Sequence, residues 1–436
     1  MKRKILLIAT MALCVVMTFA QDRNPNRFPK PDFESGYEYP LHQYVVPAET
    51  FLVWLDIVLL VVLMSFVAWA VIKRVVRWPI IVVSIISIAY FGFFRKGCVC
   101  SIGSISNVAL ALGDSSYTIP FAALLFFIIP ILFSILFGRV FCAGVCPFGA
   151  LQELINVKNY RLSKTVSTVL GLIPWVYLTL AVLFAVTNSQ FIICRFDPFI
   201  GMFRLGGDVP LILFGGVLLV MSIFTGRPFC RFICPYGIVL GFFSRVAIWN
   251  IKITRQGCIN CELCHNSCPV DAIRPPYENK VKENRNVGVQ RLLVYILIIP
   301  LMAVTGGIAL RLLSDPLSRM NKEVRLLEMV LENERNPQEV LSVELEAFYE
   351  LERTVPELTA KVTAIQDKYR LIATYCGIAL GIIFGFTLIS LSVKRSRKLY
   401  EIEDSKCVNC ARCFSYCPQN KGQVQVALQS ADSQLL

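Results

Sequence analysis

Gly138-Arg139-Val140-Phe141-Cys142-Ala143-Gly144-Val145-Cys146-Pro147-Phe148-Gly149 returns later in the chain as Gly226-Arg227-Pro228-Phe229-Cys230-Arg231-Phe232-Ile233-Cys234-Pro235-Tyr236-Gly237. The shared pattern is G-R-x-F-C-x3-C-P-[FY]-G, and 88 positions separate Cys142 from Cys230. Each copy directly follows an apolar stretch that reads as a membrane span, and a second such stretch, running the other way, precedes that one. Between the members of each pair lies a turn with cysteine: Cys98-Val99-Cys100 in the first, Cys194 in the second. Residues 79–150 and 151–250 therefore read as two parallel membrane repeats, an arrangement that packs about an axis along the membrane normal. Such packing brings Cys142, Cys146, Cys230 and Cys234 together near one face, and Cys98, Cys100 and Cys194 near the other.

Composition agrees with a bilayer protein. Apolar residues are 56% and charged residues 17% of the 436, against about 45–50% and about 25% in soluble proteins. That excludes a soluble enzyme, a disordered tail protein and a small secreted scaffold. The excess of 43 basic over 30 acidic residues, +13 in all, is read as a topology signal and not as a nucleic-acid footprint. Two histidines, His42 and His265, stand against seventeen cysteines. The disparity points to thiolate-held iron or zinc and away from haem held by paired histidines.

The ends and loops fix an orientation. Residues 1–20 begin Met1-Lys2-Arg3-Lys4, continue apolar and end Thr18-Phe19-Ala20, the pattern of a secretory signal. An uncleaved first helix is the alternative, and the short apolar stretch favours cleavage. Residues 21–50 read as a periplasmic segment. Seven spans are then expected near 51–72, 79–94, 119–138, 166–187, 209–225, 289–313 and 371–393. Lys73-Arg74 with Arg77, then Lys158, Arg161 and Lys164, the basic 227–291 stretch and Lys394-Arg395 all fall on one side. By the positive-inside rule that side is the cytoplasm, and the membrane is a bacterial inner membrane. Residues 314–370, rich in Glu and Leu, read as periplasmic helices that either cover their own apolar stripe or offer a docking platform.

Two further runs are more specific. Cys258-x2-Cys261-x2-Cys264-x3-Cys268-Pro269, in 251–288, is repeated as Cys407-x2-Cys410-x2-Cys413-x3-Cys417-Pro418, in 394–436. Two-residue gaps let three thiolates on one tight loop grip three corners of a cubane, and the fourth cysteine serves the other cluster of a two-cluster module. The expected sets are Cys258, Cys261 and Cys264 with Cys417, and Cys407, Cys410 and Cys413 with Cys268. Zinc is the alternative, but zinc knuckles favour paired C-x2-C units with a longer spacer. Two spans separate the runs, so both lie on one side, as shared clusters require. His265 reads as a bystander on the cluster loop.

For Cys142, Cys146, Cys230 and Cys234 a further cluster is weighed against small apolar residues in a packed turn. Their paired spacing, following prolines and repetition favour the cluster. Cys98, Cys100 and Cys194 fit a second metal site or a structural disulfide. Cys376 reads as packing.

At these residues the chain resembles the membrane-bound polyferredoxins, a family of NapH-like proteins that includes the membrane domain of NosR-like proteins. The resemblance covers roughly 79–270 and 400–420. It implies electron transfer between cytoplasmic donors or the quinone pool and a periplasmic acceptor, with redox partner subunits. NosR-like members carry a flavin domain ahead of the spans; no flavin-attachment sequence is read here, so a flavin on this chain is not expected, and a separate flavoprotein or cytochrome is one of the partners considered.

The expectation is an all-α polytopic membrane protein with a small cytoplasmic two-cluster ferredoxin-like module. It acts as an electron-transfer component of an oxidoreductase, with lipid and quinone as companions and no nucleic acid. Rivals are an assembly or regulatory factor that reduces a metal or thiol, a redox-silent scaffold, and a transporter. The last is weakened because Asp56, near a span end, is the single Asp, Glu or Lys within the spans.

Overall fold

In the computed structural model, residues 50–418 are described apart from 75, 98–100, 158, 205, 207, 254–257, 278–284, 337–341, 352–353, 393–396 and 398. The signal, the segment before the first span, and Cys98 and Cys100 lie outside the described residues.

Each of the seven expected spans is helical, but they differ in reach. Phe51–Lys73, Thr165–Val186, Asn286–Leu312 and Val355–Leu391 are long and apolar enough to cross a membrane. Pro198–Arg204 and Val209–Phe224 would make a fifth as a pair bent by 103°. Trp78–Phe94 and Phe121–Phe137 are apolar but shorter. At 1.5 Å per residue, about 17 residues span about 25 Å, short of a hydrocarbon core of about 30 Å.

The turns at 95–120 and 187–208 do more than reverse the chain. Ile102, just before the helix Ser104–Gly113, lines the same cavity as Cys142, Cys146, Cys230 and Cys234. Phe199 packs its ring on Phe148 and Phe229, with centroids 5.5 and 5.1 Å away. Both segments fold back toward the cysteine loops, where the sequence reading expected plain connections. Their apolar residues are what such a return can bury.

The two copies of the motif differ in their first halves, a π-helical turn Phe141–Val145 against an α-helical turn Pro228–Phe232, but end alike. In each, the second cysteine is the residue before a helix with proline in its first turn: Cys146 before Pro147–Ile155, and Cys234 before Pro235–Phe243. Proline suits that position because its missing N–H has no helical partner there.

The two ferredoxin runs form one module from distant parts of the chain. Ile273–Arg274 and Glu401–Ile402 pair antiparallel, Ile273 opposite Ile402 and Arg274 opposite Glu401. Arg274 adds an ion pair to Glu403 at 2.7 Å, and Tyr277 bridges Arg397. The long helices Arg285–Leu312 and Val355–Ser392 run between the two runs and pack against each other. Their crossing is close because Gly306 meets Gly377, and a methyl group on Gly381 would strike the Met302 carbonyl. Small residues four apart let membrane helices approach in this way. Beyond the crossing, Val324, Val330, Leu345, Phe348, Leu358 and Val362 bury one another in a satellite core.

Candidate functional site

The ferredoxin runs share a backbone trick. Asn260 and Glu262 in the first, and Asn409 and Ala411 in the second, adopt left-handed conformations with φ of 54°, 63°, 51° and 55°. Asparagine tolerates this region; Glu262 and Ala411 hold it at a cost that a tightly wound loop imposes.

The fourth cysteines lie near the opposite runs. Cys268 lines one cavity with Cys407, Cys410 and Cys413. Cys417 joins Cys258 and Cys261 among the groups whose charge is felt at Cys264. Burial pushes the Cys410 thiol up to about 11, with Glu153 adding to the rise and Arg227 opposing it. Burial likewise raises Cys407 and Cys413. As free thiols these groups would stay protonated at neutral pH, so thiolates here call for a cation to hold them.

Cys142, Cys146, Cys230 and Cys234, from the two copies of the motif, line a single small cavity with Arg139. N–H groups neighbour these sulfurs: Arg139 Nη2 lies 3.8 Å from Cys142, Gln152 Nε2 3.6 Å from Cys230, and the Gly237 amide 3.4 Å from Cys234, with the Gly149 amide beside Cys146. Four thiols, N–H donors and buried cations make a donor set that fits an anionic iron–sulfur cluster. Among the described residues, no three Cys, His, Asp or Glu side chains converge as one ion would require.

The arginines of the two copies exchange places. Arg227, fully buried, donates to the Cys142 carbonyl, to the Ala143 carbonyl at 3.1 Å and to Glu153 Oε2 at 3.0 Å. Arg139 reaches the opposite way, beside Gly237 and Gly241 and onto the Ser405 carbonyl at 3.2 Å. Gly149 stands beside Arg227 as Gly237 stands beside Arg139. The final glycine of the motif is thus the space for the other copy's arginine.

Glu153 is the hub. It meets Arg77 at 3.0 Å, Arg227 at 3.0 Å and Arg412 at 3.6 Å. Burial alone would push its carboxyl up; Arg227, Arg412 and Arg77 together hold it below the usual carboxylate range. Arg412 sits between Cys410 and Cys413 in sequence, and Arg227 feels both Cys410 and Cys230. One cationic network therefore borders the four-cysteine cavity and the Cys407 set.

The first glycine of each motif seats the ferredoxin module. Gly138, at φ +69°, lies under the Asn409 side chain, whose amide donates to the Phe137 carbonyl at 2.7 Å. Gly226 lies against the backbone of Pro269, so closely that a methyl group would collide.

Other residues singled out by sequence fall elsewhere. Cys194 is exposed, and with Cys98 and Cys100 outside the described residues the three-cysteine grouping stays an expectation. His265 packs beside Tyr400, ring centroids 5.7 Å apart. Cys376 is half-buried against the main core. Asp56 is buried, paired with Arg95 at 2.7 Å and Tyr90 at 2.9 Å. Sequence reasoning missed Gln152, Glu153 and Arg412. The available signal was that Gln152-Glu153 interrupts an apolar helix where the second copy has Leu240-Gly241.

Residues 119–164 and 208–254 match a family model described as a 4Fe-4S binding domain, and residues 251–274 match another of the same description. The regulatory protein NosR of Stutzerimonas stutzeri is 35% identical over 156 residues, 32% of this chain and 21% of NosR. An uncharacterized Methanocaldococcus jannaschii protein, MJ0750, is 30% identical over 190 residues, 42% of this chain and 77% of its own. The ferredoxin-type protein NapH of Escherichia coli K12 is 25% identical over 150 residues, 33% of this chain and 51% of NapH. The chain thus spans most of MJ0750 but about half of NapH and a fifth of NosR. No solved structure matches.

Proposed function

Because this chain belongs to the membrane-associated 4Fe–4S ferredoxin-type proteins, we propose that it is the electron conduit of a membrane oxidoreductase. Electrons would pass between cytoplasmic donors or the quinone pool and a periplasmic or membrane partner. The cysteine sets read as Cys258, Cys261, Cys264 and Cys417 for one [4Fe–4S] cluster, and Cys407, Cys410, Cys413 and Cys268 for a second. Cys142, Cys146, Cys230 and Cys234 read as the ligands of a third. When bound, such clusters supply one-electron storage without proton exchange.

The observation that carries the reading is that the four motif cysteines line one cavity, with Arg227 feeling the charge of both Cys230 and Cys410. A hydrocarbon core of about 30 Å is too wide for one hop, so a station beside the module is what a conduit needs. Arg139 and Arg227 would favour the reduced, more negative state and raise its potential, as would the N–H neighbours of the sulfurs. Burial keeps water from the sulfurs.

In this reading the basic loops, and with them the module, face the cytoplasm of an inner membrane. The partners are redox subunits, among them a separate flavoprotein or cytochrome. Cys98, Cys100 and Cys194 stand as a further, outward station.

The test is a double variant, Cys142→Ser with Cys230→Ser, in proteoliposomes with reductant outside and acceptor inside. Electron flow across the membrane should fall by at least about tenfold, a barrier change of about 1.4 kcal/mol, while the EPR signals of the module clusters persist. Unchanged flow would remove the four-cysteine station from the path.

A further inference from the structure

The four-cysteine cavity is built from two copies of one motif, yet its two ends are unlike. The second cysteines are served alike, Cys146 by the Gly149 amide and Cys234 by the Gly237 amide. The first cysteines are not. Arg139 Nη2 lies 3.8 Å from Cys142, in its own copy. Its counterpart Arg227, 88 positions on, is engaged by Glu153 and by the Cys142 and Ala143 carbonyls. The side-chain N–H beside Cys230 comes instead from Gln152, at 3.6 Å. Gln152-Glu153 stand where the second copy has Leu240-Gly241. These two residues break the symmetry: Glu153 draws one guanidinium, and Gln152 supplies a neutral amide in its place.

The Gln152 amide is locked in one orientation. The side chain is 0% exposed, its Oε1 accepts from the Phe229 amide at 3.0 Å, and its Nε2 donates to the Phe148 carbonyl at 3.1 Å. Exchanging the oxygen and the nitrogen would set donor against donor and acceptor against acceptor. The nitrogen carries two hydrogens; the Phe148 carbonyl takes one, and the other is left for Cys230. The Phe229 bond is a sufficient structural reason for a polar side chain, since that amide lies in the first turn of Pro228–Phe232, where amides lack helical partners. That role uses the oxygen alone. The N–H on the sulfur is a second contact, made to the atom whose charge changes with redox state.

We propose that Gln152 is a positioning residue for electron transfer, its fixed N–H acting through the Cys230 sulfur to set the potential of a cluster held by the four cysteines. This rests on the reading of those cysteines as ligands of a third cluster. Reduction adds one electron and no proton, so negative charge rises on the ligand sulfurs. A donor already aimed at one of them strengthens as that charge grows and favours the reduced state. Leu240, equally buried in the second copy, has no hydrogen to offer Cys142.

The experiment is EPR-monitored redox titration of the full chain, purified anaerobically, as wild type and as Gln152→Leu, which installs the residue of the second copy. Reduction of the repeat's cluster should become about tenfold less favourable, about 59 mV lower for one electron, while both module clusters keep their potentials and iron stays at about twelve per chain. Pulsed EPR of reduced wild type carrying nitrogen-15 in its glutamine amides gives a reading that needs no variant to fold: a nitrogen-15 coupling at the repeat's cluster is expected. An unchanged potential with about twelve irons, whatever the melting temperature does, would leave Gln152 as a cap for Phe229 and overturn the proposal alone. So would absence of the coupling, or an equal shift in all three clusters. About eight irons in the wild type would overturn the third cluster and, with it, this role.

Discussion

Arg227, from the second cysteine loop, donates to Glu153 at 3.0 Å in the helix that follows the first cysteine loop. Neither residue holds a sulfur, yet the bond ties one copy of the motif to the other at their shared cavity. Arg227 is 0% and Glu153 6% exposed, so both charges depend on partners and not on water.

Glu153→Gln leaves Arg227 and Arg412 buried without their carboxylate. Breaking a buried pair in this way costs about 3–5 kcal/mol. Thermal unfolding followed by circular dichroism should show that loss, while Arg77→Gln, whose side chain is 22% exposed, should show a smaller one.

Gly226→Ala places a methyl group against the Pro269 backbone, which cannot rotate away. The first ferredoxin run must then lift from its seat, at the ~1–3 kcal/mol typical of overpacking. EPR of the reduced protein should show broadened or diminished module signals. Gly216→Ala, with nothing within 4 Å of the new methyl, should leave the spectrum unchanged.

Crossed ligation predicts crossed damage. Cys268→Ser should alter the cluster of the half-buried Cys407 set, and Cys417→Ser that of the Cys258 set, where Cys261 is exposed. Redox titration monitored by EPR reads this directly, since a changed ligand shifts one potential and not the other. Damage confined to the run that contains each cysteine would refute the crossing.

The pairing of the two runs should weaken in acid. Burial pushes the Glu403 carboxyl up, but Lys406 and Arg274 more than offset it and hold it below its ordinary 4.5. A depressed folded-state value means that the stabilisation is present above the unfolded value and lost as pH falls through the folded one. The difference in melting temperature between wild type and Glu403→Gln should therefore be constant near neutrality and shrink below pH about 4.5. It should also be modest, because Arg274 is 45% exposed.

Much of this architecture is legible in the chain itself. The two C-x2-C-x2-C-x3-C-P runs announce a module, and the strand pair Ile273–Arg274 with Glu401–Ile402 completes it. The repeated G-R-x-F-C-x3-C-P-[FY]-G announces four cysteines in one place, and one cavity holds them. Helix positions follow from apolar length. Their lengths follow too, within a few residues of the expected stretches, except that Val355–Ser392 extends well before its apolar stretch begins; the π-helical turns at Ala70–Arg74 and Ile88–Phe94 carry no such signal. The returning segments around Ile102 and Asp197 were also hidden, since a chain that folds back among helices has no periodicity of its own. Glu153 was overlooked because a lone carboxylate acquires its meaning from arginines 74, 76 and 259 positions away, and only folding assembles them.

The central claim is that the chain carries three clusters, two in the module and one in the membrane repeat. The direct measurement is iron and acid-labile sulfide per chain on anaerobically purified protein, alongside EPR of the reduced state. About twelve irons per chain, falling to about eight in the Cys142→Ser, Cys230→Ser variant, is the expected result for three cubanes reduced to two. About eight irons in the wild type, unchanged by the substitutions, would contradict it and leave the four cysteines as packing.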